Sequence, residues 1–234
     1  MFHLDPPPNF QGLRPDVDID ISGRNLPHWR QAGATYFVTF RLGDSIPAGK
    51  QKELKDIREE WISSNPEPHT PEQQEEISRL TAMQIEKWLD MGFGHCVLRD
   101  PANRDSLIKT FQFFDDSQSN PDITPRHEIG AWVIMPNHVH LLVRPLAGWA
   151  LSKLLQSWKR HSAMEINRRT SREGNLWMTE SYNRIVRDPQ HLWRCLQYIG
   201  NNPTKANLGG TEYSKWVKPE WETLGWKFDE ASKT

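Results

Sequence analysis

The feature that most constrains this fold is a pair of apolar runs, residues 128–135 and 138–144, separated only by Pro136 and Asn137. Each run has the length of one strand and is rich in Val, Ile and Leu, with Trp132 in the first. A two-residue Pro-Asn break turns the chain back tightly, so the runs predict an antiparallel hairpin. Alternate residues of a strand share a face. His138 and His140 therefore project side by side, while Val139 and Leu141 point to the other face. Two imidazoles at this spacing can hold one metal ion. The alternative is a pair satisfied by hydrogen bonds, because buried imidazole donors and acceptors need partners.

The rest of the chain mixes strands and helices around this hairpin. Residues 34–42 alternate and are rich in aromatic and β-branched types, which predicts a strand. Helical patterns cover 50–62, 71–91, 101–114, 149–169 and 188–201; Asp100-Pro101 and Asp188-Pro189 supply caps, and Pro203 is expected to stop the last helix. In the second helix Ile77, Leu80, Ile85, Trp88 and Leu89 form the apolar side. Residues 95–98 are a further strand candidate, and 177–186 have no clear pattern. Residues 1–30 read as an extended arm and 209–234 as a tail, leaving 31–208 as the main domain. An antiparallel hairpin among helices favours an α+β layered domain over a doubly wound parallel sheet.

The formal net charge of −1 gives no reason to expect a nucleic-acid partner, but its distribution does. Residues 44–91 hold six Lys/Arg against eleven Asp/Glu, a net of −5, whereas residues 150–206 hold ten against four, a net of +6. A basic half attracts phosphate. Lys153, Lys159, Arg160, Arg168, Arg169 and Arg172 are its candidate backbone contacts. Trp158 and Trp177 are read as core, with base stacking as the alternative. Two cysteines without a CxxC pair exclude a disulfide scaffold and a cysteine zinc site. Residues 1–10 lack the apolar centre of a signal peptide and no run reaches a membrane span, so a soluble, cytoplasmic protein is expected.

The last helix carries the second chemical signal. His191, Arg194, Tyr198 and Asn202 share one side of it, with Leu192, Cys195, Leu196 and Ile199 on another. A tyrosine one turn before an amide places a phenol beside a carbonyl oxygen able to bind a cation; the alternatives are a packing tyrosine and an asparagine that merely ends the helix before Pro203. Among the four tyrosines, Tyr36 lies in the first strand and Tyr213 in the tail; Tyr182 is the competitor to Tyr198.

Together these segments resemble the REP-associated tyrosine transposases, a branch of the single-tyrosine HUH transposases. The resemblance runs from about residue 27 to 208. It rests on 33–42 (GATYFVTFRL), 131–143 (AWVIMPNHVHLLV), 174–177 (GNLW), 186–188 (VRD) and 198–206 (YIGNNPTKA). The acidic stretch 44–91 and the segment after Gly210 have no counterpart in it. The resemblance implies a ferredoxin-like fold with a central antiparallel sheet. It also implies a divalent metal, Mg²⁺ or Mn²⁺, held by His138 and His140 with Asn202 completing the site, and Tyr198 as nucleophile. The implied reaction nicks and rejoins single-stranded DNA from hairpin-forming palindromic repeats through a 5′-phosphotyrosine link. Three readings compete with it: a His-metal hydrolase, for which no third carboxylate is apparent near the pair; a catalytically silent DNA-binding module; and a structural protein with a satisfied histidine pair. Monomer and homodimer, and use of Tyr198 in its own site or a partner's, stay open.

Overall fold

The computed structural model describes residues 3–18, 20–22, 28–116 and 122–229. The predicted hairpin is its centre: β4 (His127–Ile134) and β5 (His138–Pro145) pair antiparallel, and the Met135 amide closes the turn on the His138 carbonyl at 2.9 Å. The predicted first strand, β3 (Tyr36–Arg41), lies on the other side of β5, with Thr39 opposite His140 and Arg41 opposite His138. A short ribbon, β1 (Asp20–Ser22) with β2 (His28–Arg30), precedes it. Beyond β3 lies β6 (Tyr182–Ile185), an edge strand too short to show periodicity. The sheet order is β6-β3-β5-β4 plus β7 (Ser214–Val217) at the far edge, and every neighbouring pair is antiparallel.

Between β3 and β4 the chain forms α1 (Ala48–Ser64), α2 (Pro71–Asp90) and α3 (Pro101–Gln112), and α4 (Leu151–Thr170) joins β5 to β6. Taken as β3-α3-β4-β5-α4-β6, the four strands stand in the spatial order fourth, first, third, second, which is the ferredoxin-like topology. One face of the sheet, with Val38, Phe40, Val139 and Leu141, packs with Leu107 and Phe111 of α3 and Leu154 and Trp158 of α4. The other face, with Phe37, Val133 and Leu142, packs with Leu192, Leu196 and Ile199 of α5 (Pro189–Lys205). Burying a side chain of this size contributes about 1.5–3 kcal/mol, so each helix is fixed to its face by several such residues. A bulge at Gly130 shifts the alternation of β4, sending Ile129 to one face and Ala131 to the other.

Several expectations are corrected. Residues 95–98 are not a strand: Cys96 is left-handed (φ 49°), and a 3-10 turn follows over Val97–Arg99. The His95 amide and imidazole both bond Asp44 Oδ2, at 3.0 and 2.6 Å, so a side chain rather than a sheet neighbour holds this loop. Leu80 is exposed instead of lying on the inner side of α2. Pro203 does not stop α5, which continues to Lys205 with the Ala206 amide on the Asn202 carbonyl at 3.1 Å. A proline in the last turn removes only its own donor there. The segment after 208, expected as a tail, packs against the domain. Its residues add β7 to the sheet and, with α6 (Pro219–Thr223), bury Trp221 and Trp226, whose indole nitrogen bonds the Asp5 carbonyl at 2.8 Å. That contact ties both ends of the described chain to the α5 side. Trp158 and Trp177 are core residues. Among the described residues no helix is long and apolar enough to cross a membrane.

Candidate metal and nucleophile site

His138 and His140 point to the α5 face, as strand alternation requires, and are 1% and 0% exposed. Their rings lie 4.7 Å apart. Each is oriented through Nδ1. His138 Nδ1 is 2.7 Å from Asn137 Oδ1, and the Asn137 amide nitrogen donates to the Leu89 and Phe93 carbonyls, both at 3.2 Å. His140 Nδ1 is 2.8 Å from Thr39 Oγ1, its cross-strand neighbour. An imidazole whose Nδ1–H donates to such an oxygen presents a lone pair at Nε2. Both Nε2 atoms are buried and make no hydrogen bond.

α5 brings Tyr198 and Asn202 to the same place from the opposite layer. The Tyr198 ring is 5.2 Å from that of His140 and packs edge-on against Phe37. Lys205 Nζ lies 4.5 Å from the centre of the phenol ring. Asn202 is fully buried beside His138 and the Tyr198 hydroxyl, and neither atom of its amide makes a hydrogen bond of good geometry.

The residue absent from the sequence reading is Glu86. It comes from α2, within the acidic stretch, and its carboxylate accepts the Tyr198 hydroxyl at 2.7 Å and stands 3.3 Å from His140 Nε2. Glu86, His138 and His140 each offer a ligand atom within 4.8 Å of the others'. Burial alone would raise the Glu86 pKa, but the neighbouring His140 and the hydrogen bond from the Tyr198 hydroxyl lower it, to about 2. Burial and the neighbouring His140 depress His138 to about 3, keeping that ring neutral. Burial, then the Glu86 charge and hydrogen bond, push the Tyr198 phenol well above its ordinary value.

Each orphaned buried polar group costs about 1–3 kcal/mol. Here two imidazole nitrogens and one amide converge beside a carboxylate, a mixed N/O set that fits a divalent cation such as Mn²⁺ or Mg²⁺. The carboxylate that the sequence reading did not find near the histidine pair is therefore Glu86, the third ligand of the set. Its signal was faint: one acidic residue among eleven, placed only by the docking of α2.

The expected phosphate contacts are not brought to this site. Lys153, Lys159, Arg160, Arg168 and Arg169 lie on α4 and Arg172 just after it, on the opposite side of the sheet. Lys159 donates to the Met178, Thr179 and Glu180 carbonyls at 2.8, 3.0 and 3.4 Å, and burial followed by the Arg41 charge lowers its pKa to about 8. Arg168 pairs with Glu165 at 2.9 Å and Arg172 approaches Asp44 at 3.8 Å.

The fold is a ferredoxin-like α+β domain in which a His-x-His strand faces a helix-borne tyrosine, and residues 122–202 match the family model described as "Transposase IS200 like". The match covers 81 of the 234 residues. It spans both histidines, Tyr198 and Asn202 but stops short of Glu86. More particularly, the chain is similar to a solved structure titled "Structure of the REP associates tyrosine transposase bound to a REP hairpin", with 16% identity and a TM-score of 0.41, over 78% of this chain and 74% of that one. No curated protein matches the chain.

Proposed function

We propose that this protein is a metal-dependent HUH transposase that nicks and rejoins single-stranded DNA from hairpin-forming repeats, with Tyr198 as nucleophile. The observation that carries the reading is the Tyr198 hydroxyl at 2.7 Å from Glu86, whose carboxylate lies among the buried Nε2 atoms of His138 and His140. His138, His140 and Glu86 would hold the cation, with the Asn202 amide oxygen beside them. A bound divalent cation supplies Lewis-acid polarisation of the scissile phosphate and lowers the cost of a phenolate. Tyr198 Oη attacks phosphorus, the P–O3′ bond breaks, and the 3′ oxygen leaves as a free hydroxyl. The phenolic proton has an acceptor in Glu86 Oε2. A second 3′-hydroxyl attacks the 5′-phosphotyrosine and restores a phosphodiester, so no nucleotide cofactor is consumed.

The chain's own Tyr198 reaches its own histidine pair, which supports use within one protomer. The catalytic unit is 31–208 together with the strand and tryptophans that follow it. A cytoplasmic location goes with this DNA substrate.

A second reading, a metal hydrolase built on His138, His140 and Glu86, gains from the carboxylate. The two part on a denaturing gel of labelled hairpin DNA incubated with Mn²⁺ or Mg²⁺. Our reading expects a chelator-sensitive protein–DNA adduct that disappears in Tyr198→Phe. Cleavage with no adduct, unaffected by that substitution, would establish the hydrolase instead.

A further inference from the structure

We infer that the substrate strand reaches Tyr198 along a groove on the β6–α5 side of the molecule, gripped by Arg79, Arg184, Arg187 and Arg194, and that α4 plays no part in holding it. The inference rests on the single-strand reading above and names the surface that serves it. The groove encloses about 530 Å³, and these four arginines, Trp29 and Tyr198 are among its lining residues. All four arginines are exposed, and they come from three elements: α2, the β6 segment and α5. Asp188 is the acidic side chain among the lining residues, and it caps α5 by accepting the His191 amide at 2.7 Å. The excess of positive charge is felt by a neighbour: burial, then Arg184, Arg194 and Arg187, depress the pKa of His191 to about 4.

The cleft on the other side of the site differs. It holds about 410 Å³ beside Thr39 and Glu86, and its Arg41, Lys55 and Arg58 are matched by Glu59, Glu86 and Glu180. Of these two clefts beside the site, the Arg-rich groove offers the net positive surface that includes the nucleophile, suited to a phosphodiester backbone. Trp29 adds a half-buried aromatic at the wall, the kind of surface on which an unpaired base stacks.

The test uses a fluorescein-labelled 15-mer of deoxythymidine and anisotropy, in a Tyr198→Phe background so that chemistry does not enter. Arg184→Ala with Arg194→Ala should weaken binding about tenfold at 0.15 M salt and reduce the log–log salt slope by about 1.4, as expected for two lost single-strand phosphate contacts. Trp29→Ala should weaken binding about fivefold or more with the slope unchanged. Arg168→Ala with Arg169→Ala on α4 should stay within twofold of the parent. The inference is overturned if the α4 pair takes the loss, or if the Arg184/Arg194 variant, shown folded by circular dichroism, binds with parental affinity and slope. Failure of the adduct assay alone would overturn the Tyr198 mechanism and leave this result standing.

Discussion

Asn137→Ala isolates the step by which the turn of the hairpin makes His138 a ligand. The side chain is 1% exposed and makes three hydrogen bonds: it accepts from His138 Nδ1 at 2.7 Å and donates to the Leu89 and Phe93 carbonyls at 3.2 Å. At about 1 kcal/mol net for each bond, the substitution costs about 3 kcal/mol. For a chain of this size that lowers Tm by about 6–12 °C. The same change frees the His138 ring to rotate and to swap tautomer, and loss of such an orienting partner typically weakens metal binding about 10–100-fold. Asn137→Asp separates the two effects: it keeps an acceptor for His138 but sets a carboxylate against two carbonyl oxygens, so it should lower Tm at least as much while retaining most of the affinity. Calorimetric titration with Mn²⁺ and thermal unfolding measured by circular dichroism read both quantities. If Asn137→Ala binds Mn²⁺ within twofold of wild type while His138→Ala abolishes binding, the orienting role assigned to Asn137 is refuted.

Other outcomes follow from single contacts. Glu86→Gln removes one charged ligand and should weaken Mn²⁺ binding at least tenfold; an unchanged titration would remove Glu86 from the cation site. His127, fully buried with Nε2 2.8 Å from the Phe111 carbonyl, has a pKa depressed to about 4, first by burial. The unfolded chain, with an ordinary value near 6.5, binds more protons below that pH, so this residue's stabilisation is complete above about pH 6.5 and is lost towards pH 4. It should account for about 2 kcal/mol of the stability lost between pH 7 and pH 5, and His127→Gln should flatten that slope in urea titrations. A methyl group added at Gly130 would run into the Trp221 indole, so Gly130→Ala should destabilise by about 1–3 kcal/mol and be partly rescued by Trp221→Leu; equal losses in the single and double variants would show that the bulge, not the indole, demands glycine.

What the sequence determined by itself was whatever depends on neighbours along the chain. The hairpin around Pro136-Asn137, the shared face of His138 and His140, the aspartate caps at Asp100 and Asp188, and the Tyr198–Asn202 spacing follow from periods of two and 3.6 and from local capping. The short edge strand β6 and the strand β7 were not legible, because four residues on a sheet edge carry no periodic signal and form only when β3 or β4 offers its backbone. The tertiary structure alone decided the company the histidines keep. Glu86 lies 52 residues before His138 and reaches it only because Trp88 and Leu89 bury the end of α2 beside the turn at Asn137. It likewise decided the fate of the basic residues. A net charge of +6 over 150–206 does not say on which side of a sheet each arginine falls, and the packing of α4 and α5 on opposite faces divided them.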